Sequence, residues 1–229
     1  MIKKNEMLWN PYVGVVIVFV IFSYFAYQGY QKGEIAKKAS EVTENLVIHT
    51  NARSFHDDLA ILNDVSNRQL IANQKKALNK NFTEEIVGKL VFSSTGYMLP
   101  VFQGANSETL SLGVASTYYP EAEMGKGNYI LAGYNVKAPS VLLSDANELS
   151  EGEKIVLIDS TQKYQYEVSK RGEISDYRQV VQSKEKNSFL SLPKAGKKPL
   201  LTLLDFQANN MKKCDVIQCE LVNVEKINK

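Results

Sequence analysis

MGKGNYILAGYN, Met124 to Asn135, joins a glycine-containing turn to eight residues without a charge. The GxG within it lies in a β context, with no helix behind it whose first amides would cradle a phosphate, so Gly125 and Gly127 are read as turn residues. NYILAGYN itself reads as a short apolar strand. Working outward from it, the chain beyond Gly88 is a succession of such runs separated by Gly, Pro and Asn: KLVFSS, MLPVF, EKIVLID, KYQYEVSK, PLLTLLDF and CDVIQCELVNVE. Short runs at near-regular spacing, with no alternation of strand and helix, predict an all-β barrel or sandwich. PSVLLSDANEL is the exception, a short helix capped at Ser140 or Ser144 that leads into a turn at Glu151-Gly152.

Upstream the texture differs. Met7 to Gln31 carries no charged side chain, and its apolar centre from Tyr12 to Tyr27 is long enough, with its flanks, to cross about 30 Å of hydrocarbon as a helix. Trp9, Tyr12, Tyr27 and Tyr30 bracket it as interfacial aromatics do. The run exceeds the apolar region of a cleaved signal peptide and QKGEIAKK supplies no small-x-small site, which favours an uncleaved anchor. Lys3 and Lys4 on one side are balanced by Lys32, Lys37 and Lys38 on the other, so charge alone does not orient it.

Glu34 to Val87 contains neither Gly nor Pro and is rich in good helix formers, which predicts helix over roughly fifty residues. Ile48, Ala52, Phe55, Leu59 and Leu62 then share one face, either laid on the following domain or paired with a second copy. Asn79 to Thr83, before Glu84 and Glu85, reads as a break leading to a new helix cap or the start of a strand. The expected organisation is a cytoplasmic tip and transmembrane helix at 1–33, a helical membrane-proximal stalk at 34–82, and a β domain at 83–229.

The chain of 229 residues has a formal net charge of +2 from 27 basic and 25 acidic residues. No basic cluster stands out, which argues against nucleic acid as a partner. Its two histidines, His49 and His56, both precede the β domain, so a Ser/His or Cys/His pair built inside that domain is excluded by inventory. Cys214 and Cys219 lie five apart in one strand, with side chains on opposite faces and too far separated for a disulfide. They supply no zinc-ligand spacing either, and read as small core residues. Asp205, an acid inside the apolar run PLLTLLDF, reads as a strand-end or turn residue.

The ordered runs resemble a class A sortase, a membrane-anchored Gram-positive transpeptidase on an eight-stranded β barrel. KLVFSSTGYMLPVFQGANSETLSLGVAS is similar to that family's first strands, with its LP-hydrophobic-aromatic-x-G step at Leu99 to Gly104. MGKGNYILAGYN is similar to the G-x-G-N-x-x-L-A-G-H-N segment, KPLLTLLDF to the T-L-x-T-C strand, and VIQCELV to the last strand. The resemblance covers about Ile86 to Val222 and the anchor, and implies a mainly β, sortase-like eight-stranded barrel with short helices.

Acyl transfer is what the resemblance implies as chemistry: a cysteine attacks an LPXTG-type sorting signal, a histidine manages protons and an arginine steadies the oxyanion. Here the histidine position is Tyr134, the cysteine position Phe206, and the arginine position Cys214 or, with a shifted register, Lys212 or Lys213. Phe206 has no lone pair, and Tyr134 is a poor base at neutral pH. The reading is therefore a pseudosortase with no catalytic, cofactor or metal residues: a single-pass cell-membrane protein with its C-terminal domain outside, binding LPXTG-type peptides or other cell-surface proteins, or scaffolding an active sortase or surface-assembly complex. The alternatives are an atypical cysteine transpeptidase using Cys214 and an interaction protein working through its stalk.

Overall fold

The computed structural model describes residues 11–44, 46–183 and 186–227. Lys3, Lys4, Trp9 and the side chain of Tyr12, at one end of the expected span, lie outside the described residues. Eight strands close into a barrel: β1 Gly88–Phe92, β2 Met98–Gln103, β3 Val114–Ser116, β4 Asn128–Asn135, β5 Lys154–Ile158, β6 Gln162–Ile174, β7 Leu200–Gln207 and β8 Cys214–Lys226. Their order around the barrel is β1-β2-β3-β4-β7-β8-β6-β5. The β2–β3 and β4–β7 pairs are parallel and the others antiparallel.

NYILAGYN is uncharged because β4 is covered on both faces, and all eight of its residues are buried. Tyr129 and Leu131 point into the lumen with Leu201, Leu203, Ile217 and Cys219. Ile130, Ala132 and Tyr134 point outward into a second core with Leu204, Phe206, Cys214 and Val216. The strand period of two thus divides the cysteines, both free and buried, between the two cores. The glycines of the preceding turn, Gly125 and Gly127, have φ of 77° and 56°.

The outer core is covered by helices and by a strap. Helix α1, Pro11–Glu44, exposes its apolar side chains from Val13 to Tyr30 and then buries Gln31, Ile35, Ala39 and Val42 against the domain. This helix is long and apolar enough to cross a membrane by length and composition. Spacings of four, four and three place the buried residues on one face. Helix α2, Asn67–Asn79, adds Leu70, Gln74 and Ala77, and Gln74 donates a hydrogen bond to the Ile35 carbonyl at 3.1 Å.

Between α1 and α2 the expected continuous helix does not form. Residues 46–58 are irregular, followed by a single 3-10 turn, Leu59–Ile61. Asn51, Asp57, Asp58, Asn63 and Asp64 are weak helix formers, and carbonyls at or beside the ends of β1, β2 and β7 offer the backbone other partners. His49 N donates to Ile86 O, Phe55 N to Gln103 O, Asp58 N to Ala105 O and Val65 N to Ala208 O, at 2.6–2.8 Å. Ile48, Ala52, Phe55, Leu59 and Leu62 consequently share no helical face, although Phe55, Leu59 and Leu62 do pack on the outer core. Gly104, with φ of 94°, ends the LP-hydrophobic-aromatic-x-G step, and a Cβ there would strike the Phe55 carbonyl. That glycine gives the strap its seat.

The break at Asn79 to Thr83 is present: Asn81 is left-handed and a 3-10 turn, Phe82–Glu85, leads into β1. PSVLLSDANEL forms a 3-10 turn at Leu143–Glu148, but neither serine caps it as expected. Ser140 is bonded to Asp145, and the Ser144 hydroxyl accepts from Val136 N, holding the end of β4 instead.

Candidate functional site

Strand register brings the three singled-out positions into one row. Tyr134 on β4 is the partner of Phe206 on β7, which is the partner of Cys214 on β8. All three face the outer core at exposures of 0, 1 and 0 %. A third aromatic seals the row from above: Tyr177, from helix α3, Tyr177–Ser183, meets the Phe206 ring edge-on at 5.4 Å and 84°. Such pairs add about 0.5–1.5 kcal/mol to the value of the buried area.

Burial governs the two titratable side chains of the row. Burial, followed by the nearby Asp205 and Asp215 charges, pushes the Cys214 thiol well above its ordinary range. A thiol so held is neither a nucleophile nor a leaving-group activator at neutral pH. Burial likewise raises the Tyr134 phenol, and its hydroxyl has no hydrogen-bond partner. An orphaned buried hydroxyl costs about 1–3 kcal/mol. Tyr134→Phe is therefore expected to stabilise the protein by about 1 kcal/mol, read as a raised midpoint in urea unfolding; a lowered midpoint would show that the hydroxyl has a partner.

Neither histidine reaches the row by a hydrogen bond. His49 lies beside the start of β1, and the His56 ring, 83 % exposed, pairs with Asp58 at 2.9 Å. Of the two lysines considered for the arginine position, Lys213 pairs with Glu173 at 3.6 Å. Lys212 borders a cavity of about 300 Å³ beneath the strap, with Leu59, Asp64, Tyr177, Arg178 and Met211. Arg178 donates to the Ala60 and Leu62 carbonyls at 2.9 and 3.0 Å, and Asp64 accepts from Met211 N at 2.8 Å. Three hydrogen bonds thus tie the strap to Arg178 and Met211. Among the described residues no group of three or more His, Cys, Asp or Glu side chains is placed to share a metal ion.

Asp205 sits next to the row on the opposite face of β7. It is 1 % exposed, accepts from Asn135 Nδ2 at 2.9 Å through Oδ2, and leaves Oδ1 without a partner. Burial pushes its carboxyl up to about 7, against the Asn135 hydrogen bond and with added repulsion from Asp215. It is a buried acid inside a strand rather than a turn residue.

Sequence reasoning missed Tyr177, Arg178 and the strap carboxylate Asp57, which accepts from Thr117 Oγ1 at 2.6 Å and Tyr118 N at 3.1 Å. One signal of the strap was available: Ser66-x-x-Gln69, which forms a capping box and fixes a fresh helix start at Asn67.

Residues 90–204 match the family described as the sortase domain, a match that stops two residues short of Phe206. Sortase A of Bacillus anthracis is 35 % identical over 105 residues, covering 45 % of this chain and 50 % of the relative. Sortase A of Listeria monocytogenes is 29 % identical over 140 residues, covering 61 % and 63 %. The chain therefore spans between half and two thirds of the length of these curated relatives. The solved Listeria sortase A superimposes with a TM-score of 0.53 at 28 % identity, covering 63 % of this chain and 92 % of that one. Sortase C-1 of Actinomyces oris, at 19 % identity and a TM-score of 0.50 over 82 % and 98 %, is alike in fold alone. Since the matched segment carries half of the chain and supplies seven strands of the closed barrel in whole or in part, this chain belongs to the sortase family.

Proposed function

We propose that this sortase-family chain does not catalyse acyl transfer and works as a membrane-anchored docking module at the cell surface. The observation that carries this reading is Phe206, a benzyl ring where the resemblance places the nucleophile, buried under Tyr177 and flanked by Tyr134 and Cys214. Catalysis of this class needs a thiolate, a proton carrier and a cation converging on one carbonyl. The row supplies an aromatic ring, an orphaned phenol and a thiol held neutral by burial.

The chain is divided functionally into an anchor at 1–33, a connecting region at 34–82 and the barrel at 83–229. The anchor is single-pass and the barrel lies outside. Because the strap packs on the outer core that holds the row, a sorting-signal peptide of the LPXTG type laid over the row would have to displace it. A folded partner, such as an active sortase or a surface-assembly complex, meets the strap without displacing anything.

The test is a fluorogenic LPXTG-type peptide offered to the full chain in detergent, with an amine acceptor present. Cleavage is expected to stay at the buffer rate, and Cys214 to resist a thiol reagent until the chain is unfolded. Cleavage above background that disappears in Cys214→Ala would establish the atypical enzyme instead.

A further inference from the structure

We propose that a groove where α1 leaves the barrel binds the anionic headgroup of a membrane phospholipid. The inference rests on α1 spanning a membrane. From Val13 to Tyr30 that helix exposes an apolar surface, and its first side chain buried against the domain is Gln31. Eighteen residues at 1.5 Å each span about 27 Å, close to the thickness of a hydrocarbon layer. The membrane surface therefore falls at the level of Gln31 and Lys32.

At that level lies a groove of about 730 Å³, walled by α1, the first turn of α2 and the ends of β4 and β7. Three cations line it, Lys32, Arg68 and Lys137, and no carboxylate does. Among the described residues none of the three has an ion-pair partner. Lys32 Nζ instead donates to the Lys137 carbonyl at 3.1 Å, and Arg68 to the Tyr27 hydroxyl at 3.4 Å. The fold thus converges like charges from three separate elements, an arrangement that is unfavourable until an anion enters.

Arg68 is doubly misplaced without one, since it occupies the first turn of α2, where the helix dipole favours an acid and the sequence offers none. Tyr24, Phe25 and Tyr27 complete the wall on the membrane side, as aromatics do at headgroup depth. A phosphodiester supplies the charge, and its acyl chains continue along the exposed face of α1. A soluble phosphate would use only the first of these features.

The experiment uses the full chain. Flotation after carbonate washing, with vesicles of phosphatidylcholine alone or containing phosphatidylglycerol, reports insertion. Native mass spectrometry of the detergent-solubilised protein, titrated with each lipid, reports headgroup preference. Expected are flotation with both vesicles, and retention of one phosphatidylglycerol at least tenfold more tightly than phosphatidylcholine. That preference is expected to vanish in Lys32→Gln/Arg68→Gln/Lys137→Gln and to persist in Lys163→Gln/Lys194→Gln/Lys197→Gln, which loses the same charge elsewhere. Millimolar glycerol phosphate should leave the adduct in place.

Flotation without headgroup preference, or equal loss in both triple variants, overturns the headgroup site while leaving the span intact. Displacement by glycerol phosphate assigns the groove to soluble phosphates and overturns the lipid. Failure to float overturns the span and the proposal with it.

Discussion

Phe206→Cys, which puts a thiol where the sequence resemblance places the family's nucleophile, is expected to gain no acyl transfer and to lose about 3 kcal/mol of stability. Truncating a buried phenylalanine to alanine costs about 3–5 kcal/mol through lost transfer energy and the cavity left behind, and a sulfur recovers only part of that. Phe206 is 1 % exposed, and it supports Tyr177 from below. At about 2–4 °C per kcal/mol for a chain of this size, the melting temperature should fall by about 6–12 °C. The new thiol would lie among apolar side chains without a hydrogen-bonded imidazole, so it would stay protonated. Differential scanning calorimetry and the fluorogenic peptide assay check the two halves separately. Turnover by the single variant would mean that the rest of the site is still assembled, and the docking reading would fall.

Asp205→Asn is expected to flatten the pH dependence of stability and to stabilise the protein at pH 8. The sign follows from linkage. The folded carboxyl is raised to about 7, whereas an exposed aspartate titrates near 3.9. Between those values the unfolded chain has released its proton and the folded chain still holds one. Stability is therefore highest below about pH 4 as far as this group is concerned, and declines as pH rises to about 7, where the loss becomes complete. Three units at 1.36 kcal/mol each put the loss at roughly 4 kcal/mol, as an upper bound.

Asp159 and Glu108, whose carboxyls are held below the usual range by hydrogen bonds that outweigh burial, act in the opposite sense, and their contribution is lost in acid. The wild type should thus show a stability maximum in mildly acidic solution. Asparagine at 205 keeps an acceptor for Asn135 and removes the ionisation. Urea unfolding at pH 5 and pH 8 reads the effect, and an unchanged slope in the variant would exclude Asp205 as its source.

Both expectations depend on residues whose identity the sequence displays and whose surroundings it conceals. Tyr134 and Phe206 are visibly not histidine and cysteine. Their convergence with Cys214 follows from the parallel β4–β7 register and the antiparallel β7–β8 register, which join positions 72 and 8 residues apart along the chain. Asp205 looked like a strand end because an acid in an apolar run is costly. The barrel accepts it with one hydrogen bond and a raised carboxyl.

Local pattern by itself determined the strands, the turn glycines, the apolar span and the division of Cys214 from Cys219, because each depends only on a repeat of two or on the length of a run. It failed between residues 46 and 65, where a segment without Gly or Pro scores as helix. There the decision belongs to distant partners: the carbonyls of Ile86, Gln103, Ala105 and Ala208, together with the seat at Gly104, draw the backbone out into a strap. Tertiary structure alone also chose what covers the row and where Lys32, Arg68 and Lys137 meet. Contacts between residues far apart in sequence form only once the barrel closes, and no window along the chain contains them.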